Sequence, residues 1–396
     1  MNRSRSLAFF GMLAMLPALP PGPGPALAAR LTVGSITGLI EPSVRQVVQR
    51  RDDNIGSILF IGTYTGLVEG FQVRSTLRNG MQGIAQNWTP LIDVTIFQGY
   101  FVGIFHQPAG GFYDLQIRPV FQGMVGAPFS VAMVGVGEVF ITAGQSNATN
   151  YGSPTGFFPD TRVSSFVDGF GRGVDPSYPS SSWTWGYDPQ PSVDLSSGGS
   201  PWPTMANNLV NALDVPIGLY AAGCGGTAIG EWMPGHLRQA NGITPRMVLF
   251  NRLTNAISYF NARGGFRAVL WNQGESDYDL QSNPAVYQAN LNQIINQSRG
   301  STGIRVKWMV ARASSPLVDN ITLRAGLEQA QGSVVDYILT FPGPNTDLIG
   351  LPYRNLEAGG TAHHLNAPGL VLLGGYWGIY VANMPGFLYP GELRPY

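Results

Sequence analysis

In VFITAGQSNATNYG, residues 139–152, a short apolar run breaks into Gly144-Gln145-Ser146-Asn147. A run of this length, rich in β-branched and aromatic residues, reads as a buried strand. Its end carries the usual punctuation: a glycine, then small and amide-bearing side chains. Ser146 at that point has two readings. It can cap the start of a helix, a common use of serine. Alternatively, its hydroxyl stands free at the carboxyl end of the strand as a nucleophile while its own N–H points into the same pocket.

Downstream of Gly137 the pattern alternates. The apolar runs EVFITAG, IGLYAAG, FRAVLWN, RVKWMVA and YILTF are separated by helical stretches at about 244–262, 285–297 and 323–331, with a last helix after Asn366. In the first of these, Phe250, Leu253, Ile257 and Phe260 fall on one stripe of a 3.6-residue period. Alternating strands and helices imply an α/β fold with a parallel sheet covered on both faces. Such sheets bind ligands beyond the carboxyl ends of their strands.

Upstream the texture is different. SILFIGTYTG, GFQVRSTL, LIDVTIFQGYFVGIFH, FYDLQIRPV and FSVAMVGV are short β-rich runs between turn residues, the pattern of an antiparallel sandwich. The chain thus divides into an all-β sandwich domain at 30–136 and an α/β domain at 137–396. The second carries a long insertion at about 151–204, rich in Gly, Ser, Pro and aromatics.

Composition bounds the function. With 44% hydrophobic residues over 396, the chain can bury a substantial core. Basic and acidic residues number 23 each, which gives nucleic acid no basic surface to bind. The N-terminus reads as an export signal: Arg3 and Arg5, an apolar stretch from Leu7 to Leu19, then the small-x-small site Ala26-Leu27-Ala28. Residues 1–29 are therefore read as a signal peptide cut near Ala28, leaving a secreted or periplasmic protein with no membrane span. A second uncharged stretch, 365–391, holds Gly374-Gly375, Asn383 and Pro385 and reads as a helix packed on the sheet. Cys224 is the only cysteine, so no intrachain disulfide forms; its expected role is packing.

Three unusual loops succeed strands: GQSN, GCGGTAIGEW and NQGESD. Their placement brings them to one edge of the sheet. A serine nucleophile needs a base, and the chain has four histidines, His106, His236, His363 and His364. His106 belongs to the β-rich part, and His236 comes after the second loop. His363 and His364 lie in GGTAHHLNAPG just before the final helix, where an imidazole can reach the end of the first strand. Adjacent side chains diverge, so the pair is not expected to hold a metal, and no cofactor is implied. Gly225 or Gly226 can offer a backbone N–H to an oxyanion, and Gln273 its amide. Glu275 and Asp277 share one short loop, too close to flank a sugar ring; with Asn147 they are read as residues that orient the loops. Phe157, Phe158, Trp183, Trp185, Tyr187 and Trp202, together with Trp232, suit stacking on sugar faces, Trp232 and Trp185 foremost.

In this order, GEVFITAGQSN, GCGGTAIGEW, WNQGESD and HHLNAPG resemble the serine esterases of the SGNH-hydrolase superfamily, specifically the sialate O-acetylesterase-like carbohydrate esterases. The resemblance covers about residues 137–375 and implies a flavodoxin-like parallel sheet flanked by helices. It implies Ser146 as nucleophile, with its N–H, Gly226 in preference to Gly225, and Gln273 as oxyanion donors. His364, preceding Leu365-Asn366, would be the base. Two positions depart from the family pattern. Ala148 replaces the usual Met after GQSN, and Thr361 stands where an Asp three residues before the histidine is usual. The acid must then be Glu357, taken first, or Asp347; otherwise the enzyme runs on a Ser-His dyad or has lost activity.

The function implied is an exported serine esterase that removes O-acetyl groups from a carbohydrate through an acyl-enzyme. The alternative, motivated by Thr361, is a secreted carbohydrate-binding or adhesion protein on a catalytically degenerate esterase scaffold. A lipase for long acyl chains fits less well, since no lid-like apolar helix is evident.

Overall fold

The computed structural model describes residues 32–157, 159–167, 181–192, 194–236, 248–317, 319–357 and 361–384. The expected signal peptide, residues 1–29, and Phe158 lie outside these. The chain begins with β1 (Ser35–Glu41), β2 (Val47–Gln49), β3 (Ile55–Thr65) and β4 (Gly70–Leu77). It continues with β5 (Thr89–Pro90), β6 (Ile92–Phe97), β7 (Tyr100–Pro108), β8 (Gly111–Phe121), β9 (Met124–Val125) and the long β10 (Phe129–Gly144).

β1, β3, β7 and β6 form one antiparallel sheet. β4 pairs with β8, and β8 with the first half of β10. Period-two alternation turns Ile58 and Phe60 of β3 and Phe101 and Phe105 of β7 inward, where they are buried. Phe71 of β4 stacks on Phe101 with ring centroids 4.0 Å apart, so the two antiparallel sheets meet face to face over an apolar core.

The second half contains β11 (Val163–Val167), β12 (Ser182–Trp185), α1 (Trp202–Leu213), β13 (Ile217–Ala221), α2 (Leu249–Ala262) and β14 (Ala268–Asn272). After it come α3 (Glu275–Asp279), α4 (Pro284–Thr302), β15 (Trp308–Arg312), α5 (Ile321–Gly332), β16 (Thr340–Asn345) and α6 (Ala367–Ala382). The strand order is β12-β11-β13-β10-β14-β15-β16. All neighbours run parallel except β12, which pairs antiparallel at the edge, so the sheet is mixed. Alternate residues feed opposite faces. Phe140, Leu270 and Met309 pack toward α1 and α6, while Ile141, Trp271 and Val310 pack toward α2, α4 and α5.

The 151–204 stretch is more structured than its composition suggests. It contributes β11, which extends the parallel sheet beside β13, and the hairpin partner β12. Helix α1 also begins in it. Trp202, Met205, Ala206, Leu209 and Val210 are buried at i, i+3, i+4, i+7 and i+8. The last helix packs its glycines against α1: a Cβ on Gly374 would strike the Pro201 carbonyl, and one on Gly378 would crowd Asn208. Among the described residues no helix is long and apolar enough to cross a membrane.

β10 belongs to both halves of the protein. Its residues 129–136 pair antiparallel with β8 and residues 138–144 pair parallel with β13 and β14. At the junction stands Glu138, fully buried. It accepts from Arg50 Nε (2.6 Å), Gln49 Nε2 (2.7 Å), Arg267 Nε (2.8 Å) and Arg267 Nη2 (2.9 Å). A buried carboxylate is tolerated when its lone pairs are filled in this way, and removing it strands the cations. Glu138→Ala is therefore expected to cost about 3–5 kcal/mol, read from urea unfolding. A loss well under that range would mean that Arg50 and Arg267 find other partners and the network does not fasten the junction.

Candidate active site

β10 ends where only glycine fits. Gly144 has φ of 123°, and a Cβ there would collide with the Asn272 carbonyl of β14. Gln145 N–H donates to that same carbonyl at 3.0 Å, and the chain then turns into one 3₁₀ turn, Ser146–Ala148. Ser146 is 3% exposed, and its Oγ forms no hydrogen bond among the described residues.

Side chains on either side of Ser146 fasten the turn to the other loops. Asn147 Nδ2 donates to Glu275 Oε1 (2.6 Å) and to the His363 carbonyl (3.1 Å). Gln145 Oε1 accepts from the backbone N–H of Gly274 and Ser276, both at 3.1 Å. Asp194 Oδ2 accepts from Thr149 Oγ1 (3.2 Å) and from Gly225 N–H (2.9 Å), and Cys224 N–H donates to the Gly144 carbonyl at 2.9 Å. The structure thus brings GQSN, the glycine loop, NQGESD and the His363-His364 segment together.

His364 is held by Glu357. Imidazole Nδ1 lies 2.5 Å from Glu357 Oε1, the His364 backbone N–H donates to the same oxygen at 3.2 Å, and Thr361 Oγ1 donates to Oε2 at 3.0 Å. An Nδ1 engaged by a carboxylate leaves Nε2 as the basic nitrogen. Burial pulls the imidazole below its ordinary value of 6.5, and the Glu357 charge pushes it back up in part. The adjacent imidazole diverges: His363 Nε2 meets Asp279 Oδ2 at 3.0 Å. Asp347, the other acid considered, accepts from Ser314 N–H (3.1 Å) and Oγ (2.5 Å) instead. His106 Nδ1 pairs with Ser57 Oγ at 3.2 Å in the N-terminal sheet.

The donors sort themselves by what already occupies them. Gly225 gives its N–H to Asp194. Gly226, exposed with φ of 65°, and Ser146 have backbone N–H groups with no acceptor among the described residues. Gln273 is fully buried, and its Nε2 donates to Asp277 Oδ2 (2.6 Å), the Thr227 carbonyl (3.0 Å) and Gln145 Oε1 (3.2 Å). Its protons are committed inside the protein. Asp277 in turn accepts from Ile229 N–H at 2.7 Å, pinning the glycine loop. Burial pushes the Glu275 carboxyl upward, with Asn147 opposing.

The two foremost sugar-stacking candidates are corrected by the structure. Trp232 is fully buried, with Nε1 donating to Thr227 Oγ1 at 3.0 Å and its ring edge-on to Trp271; it offers no face to a ligand. Trp185 is exposed but sits at the amino end of the sheet. It pairs with Ser164, Ser164 with Gly218 and Gly218 with Val139, which places it roughly 16 Å along the strand from Gly144 at about 3.3 Å per residue. Arg45 also covers its ring, at 3.8 Å. Two residues of the site, Asp194 and Tyr151, escape sequence reasoning. The one signal for Asp194 is a single carboxylate in the serine-rich SVDLSSGG, and that for Tyr151 is its place just after the serine turn.

A family model described as carbohydrate esterase, sialic acid-specific acetylesterase, matches residues 136–376. The fold is similar to that of a carbohydrate acetylesterase from Xanthomonas citri, at 17% identity and a TM-score of 0.56 over 88% of this chain and 75% of that one. A protein from Arabidopsis thaliana is 21% identical with a TM-score of 0.48, over 62% of this chain and 98% of that one. A family two carbohydrate esterase from Cellvibrio japonicus is 13% identical with a TM-score of 0.38, over 89% and 98%. No curated protein matches the chain.

The His364 environment makes a signed prediction. Its imidazole should titrate below 6.5. Glu357→Gln, which removes the charge that favours protonation, should move it lower still. Imidazole NMR across pH checks both. An unchanged or raised value in Glu357→Gln would contradict the pairing.

Proposed function

The chain belongs to the carbohydrate esterase family of sialic acid-specific acetylesterases and is a carboxylic-ester hydrolase; we propose that it is an exported serine esterase removing O-acetyl groups from a carbohydrate through an acyl-enzyme on Ser146. His364 Nε2 takes the Ser146 proton as Oγ attacks the ester carbonyl. The developing oxyanion accepts from the N–H groups of Ser146 and Gly226, each such donor being worth about 3–4 kcal/mol of barrier. The tetrahedral intermediate collapses, His364 returns the proton to the departing sugar oxygen, and water releases acetate by the same steps in reverse order. Gln273, also expected from the family pattern as a donor, would have to give up an internal acceptor to take part; in this reading it braces the loop that carries Gly226.

The observation that carries the proposal is the grip of Glu357 on His364 Nδ1 at 2.5 Å, with Thr361 donating to the same carboxylate. A carboxylate there does what the usual Asp would: it holds the imidazole's tautomer and stabilises its protonated form. This weighs against the alternative of a binding protein on a degenerate scaffold, which Thr361 alone would motivate. A flavodoxin-like SGNH-hydrolase sheet is supported by the order β13-β10-β14-β15-β16, that is, 2-1-3-4-5, and residues 30–136 are read as a β-sandwich domain before it. Export, to the periplasm or the medium, rests on the N-terminal sequence alone.

The proposal predicts that p-nitrophenyl acetate hydrolysis falls by at least about 10³-fold in Ser146→Ala and in His364→Ala. In Glu357→Gln it should fall by about 10²- to 10⁴-fold. Turnover by the unmutated protein no faster than by Ser146→Ala would instead favour a carbohydrate-binding role.

A further inference from the structure

The three tryptophans that the insertion offers for sugar stacking are not at the site. Trp202 is fully buried, Trp183 is 9% exposed, and Trp185 stands at the other end of the sheet. Tyr151 has a different position. It lies three residues past the Ser146 turn and is 37% exposed. Its ring lies against the His364 imidazole, centroids 5.2 Å apart and planes tilted by 33°. Its phenol end rests on Gly225, where any Cβ would collide with the ring. The backbone just beyond it is held alongside the histidine segment, Ser153 N–H donating to the Leu365 carbonyl at 3.0 Å. One aromatic ring therefore spans the imidazole and the glycine loop that carries Gly226. The side chains of His364 and Glu357 are each about a quarter exposed, so this flank opens to solvent.

We propose that Tyr151 is the platform on which the leaving sugar lies, the C–H face of an O-acetylated pyranose resting on the exposed part of the phenol ring. The inference rests on the assignment of Ser146 as nucleophile and His364 as base. Its chemical reason is the proton return. His364 must reach the sugar oxygen as the C–O bond breaks, so the sugar has to sit within hydrogen-bond distance of the imidazole. The surface beside that imidazole is the Tyr151 ring, flat and apolar with a polar tip, the shape that stacks on sugar rings. The acyl group, on the other side of the scissile bond, has no contact with the platform.

The test compares two acetates with very different leaving groups, glucose pentaacetate and vinyl acetate, by titration of released acid. Tyr151→Ala should raise KM for the pentaacetate by about three- to tenfold, the ratio expected of one lost aromatic contact. Its kcat/KM for vinyl acetate should stay within about twofold. Tyr151→Phe, which keeps the ring, should behave as the unmutated enzyme on both. A parallel loss on both esters in Tyr151→Ala would overturn the platform and make Tyr151 a residue that positions His364. A gain on vinyl butyrate would overturn it in favour of an acyl-pocket wall. Equal KM values for the pentaacetate in Tyr151→Ala and the unmutated enzyme would overturn it as well. Failure of the underlying assignment looks different: neither ester would then show turnover that depends on Ser146.

Discussion

Every feature of the site depends on the register in which β10 pairs with its two neighbours. Thr142 lies opposite Ala221 of β13, and Gly144 opposite Asn272 of β14. In a parallel sheet this alignment makes three strands end within two residues of one another and release their loops into the same space. The GQSN turn, the glycine loop and NQGESD are neighbours for that reason, and the hydrogen bonds between them fasten the arrangement. The register is hard to shift. A slip by one residue would put Phe140 and Leu270, now on the same α1–α6 face, on opposite faces, and it would separate Gly144 from the carbonyl whose closeness demands a glycine.

In the proposed mechanism the orienting carboxylate keeps its chemical function while changing its residue. An acid three residues before the histidine would come from its own segment. Here it comes from the opposite arm of a hairpin, in which Asn355 N–H donates to the His364 carbonyl (2.9 Å) and Glu357 N–H to the Thr361 carbonyl (3.0 Å). That pairing sets Glu357 across from Thr361, on the arm facing the histidine, and its carboxylate reaches the His364 N–H and Nδ1. Arg354 anchors the hairpin base, its guanidinium donating to the carbonyls of Thr346 (2.6 Å), Ile349 (2.7 Å) and His363 (2.6 Å). Thr361 donates its hydroxyl to Glu357 Oε2 at 3.0 Å, so in the proposed mechanism it supports the carboxylate instead of supplying one.

Much of this is legible in the sequence, and the failures have physical causes. β10, β13, β14 and β15 announce themselves as continuous apolar runs because both of their faces are covered, whereas β16 starts at Thr340, three residues into the run YILTF, whose Tyr337 and Ile338 are exposed. The stripe of α2 is equally plain. Helix α1 is hidden because Trp202 looks like one more aromatic of the insertion, although Met205, Ala206, Leu209 and Val210 continue its period. β11 and β12 are hidden because short strands at a sheet's edge carry little periodic signal. At the site, Ser146 and His364 can be named because each sits in a local pattern, whereas Glu357 and Asp347 stand as alternatives in the sequence and only the structure shows which carboxylate meets the imidazole. Trp232 and Trp185 cannot be judged from sequence, since an aromatic side chain serves core and ligand alike until burial is known. Gln273 poses the same problem for an amide: the sequence shows a donor but not the three acceptors that already hold it.

In the proposed mechanism Ser146 is a nucleophile activated by a histidine which Glu357 orients. Covalent trapping tests it most directly: the protein is treated with diisopropyl fluorophosphate and the modified residue is located by tandem mass spectrometry. A single adduct on Ser146 is expected, formed at a rate that drops sharply in Glu357→Gln. No adduct, an adduct at another serine, or a rate indifferent to Glu357→Gln would contradict it.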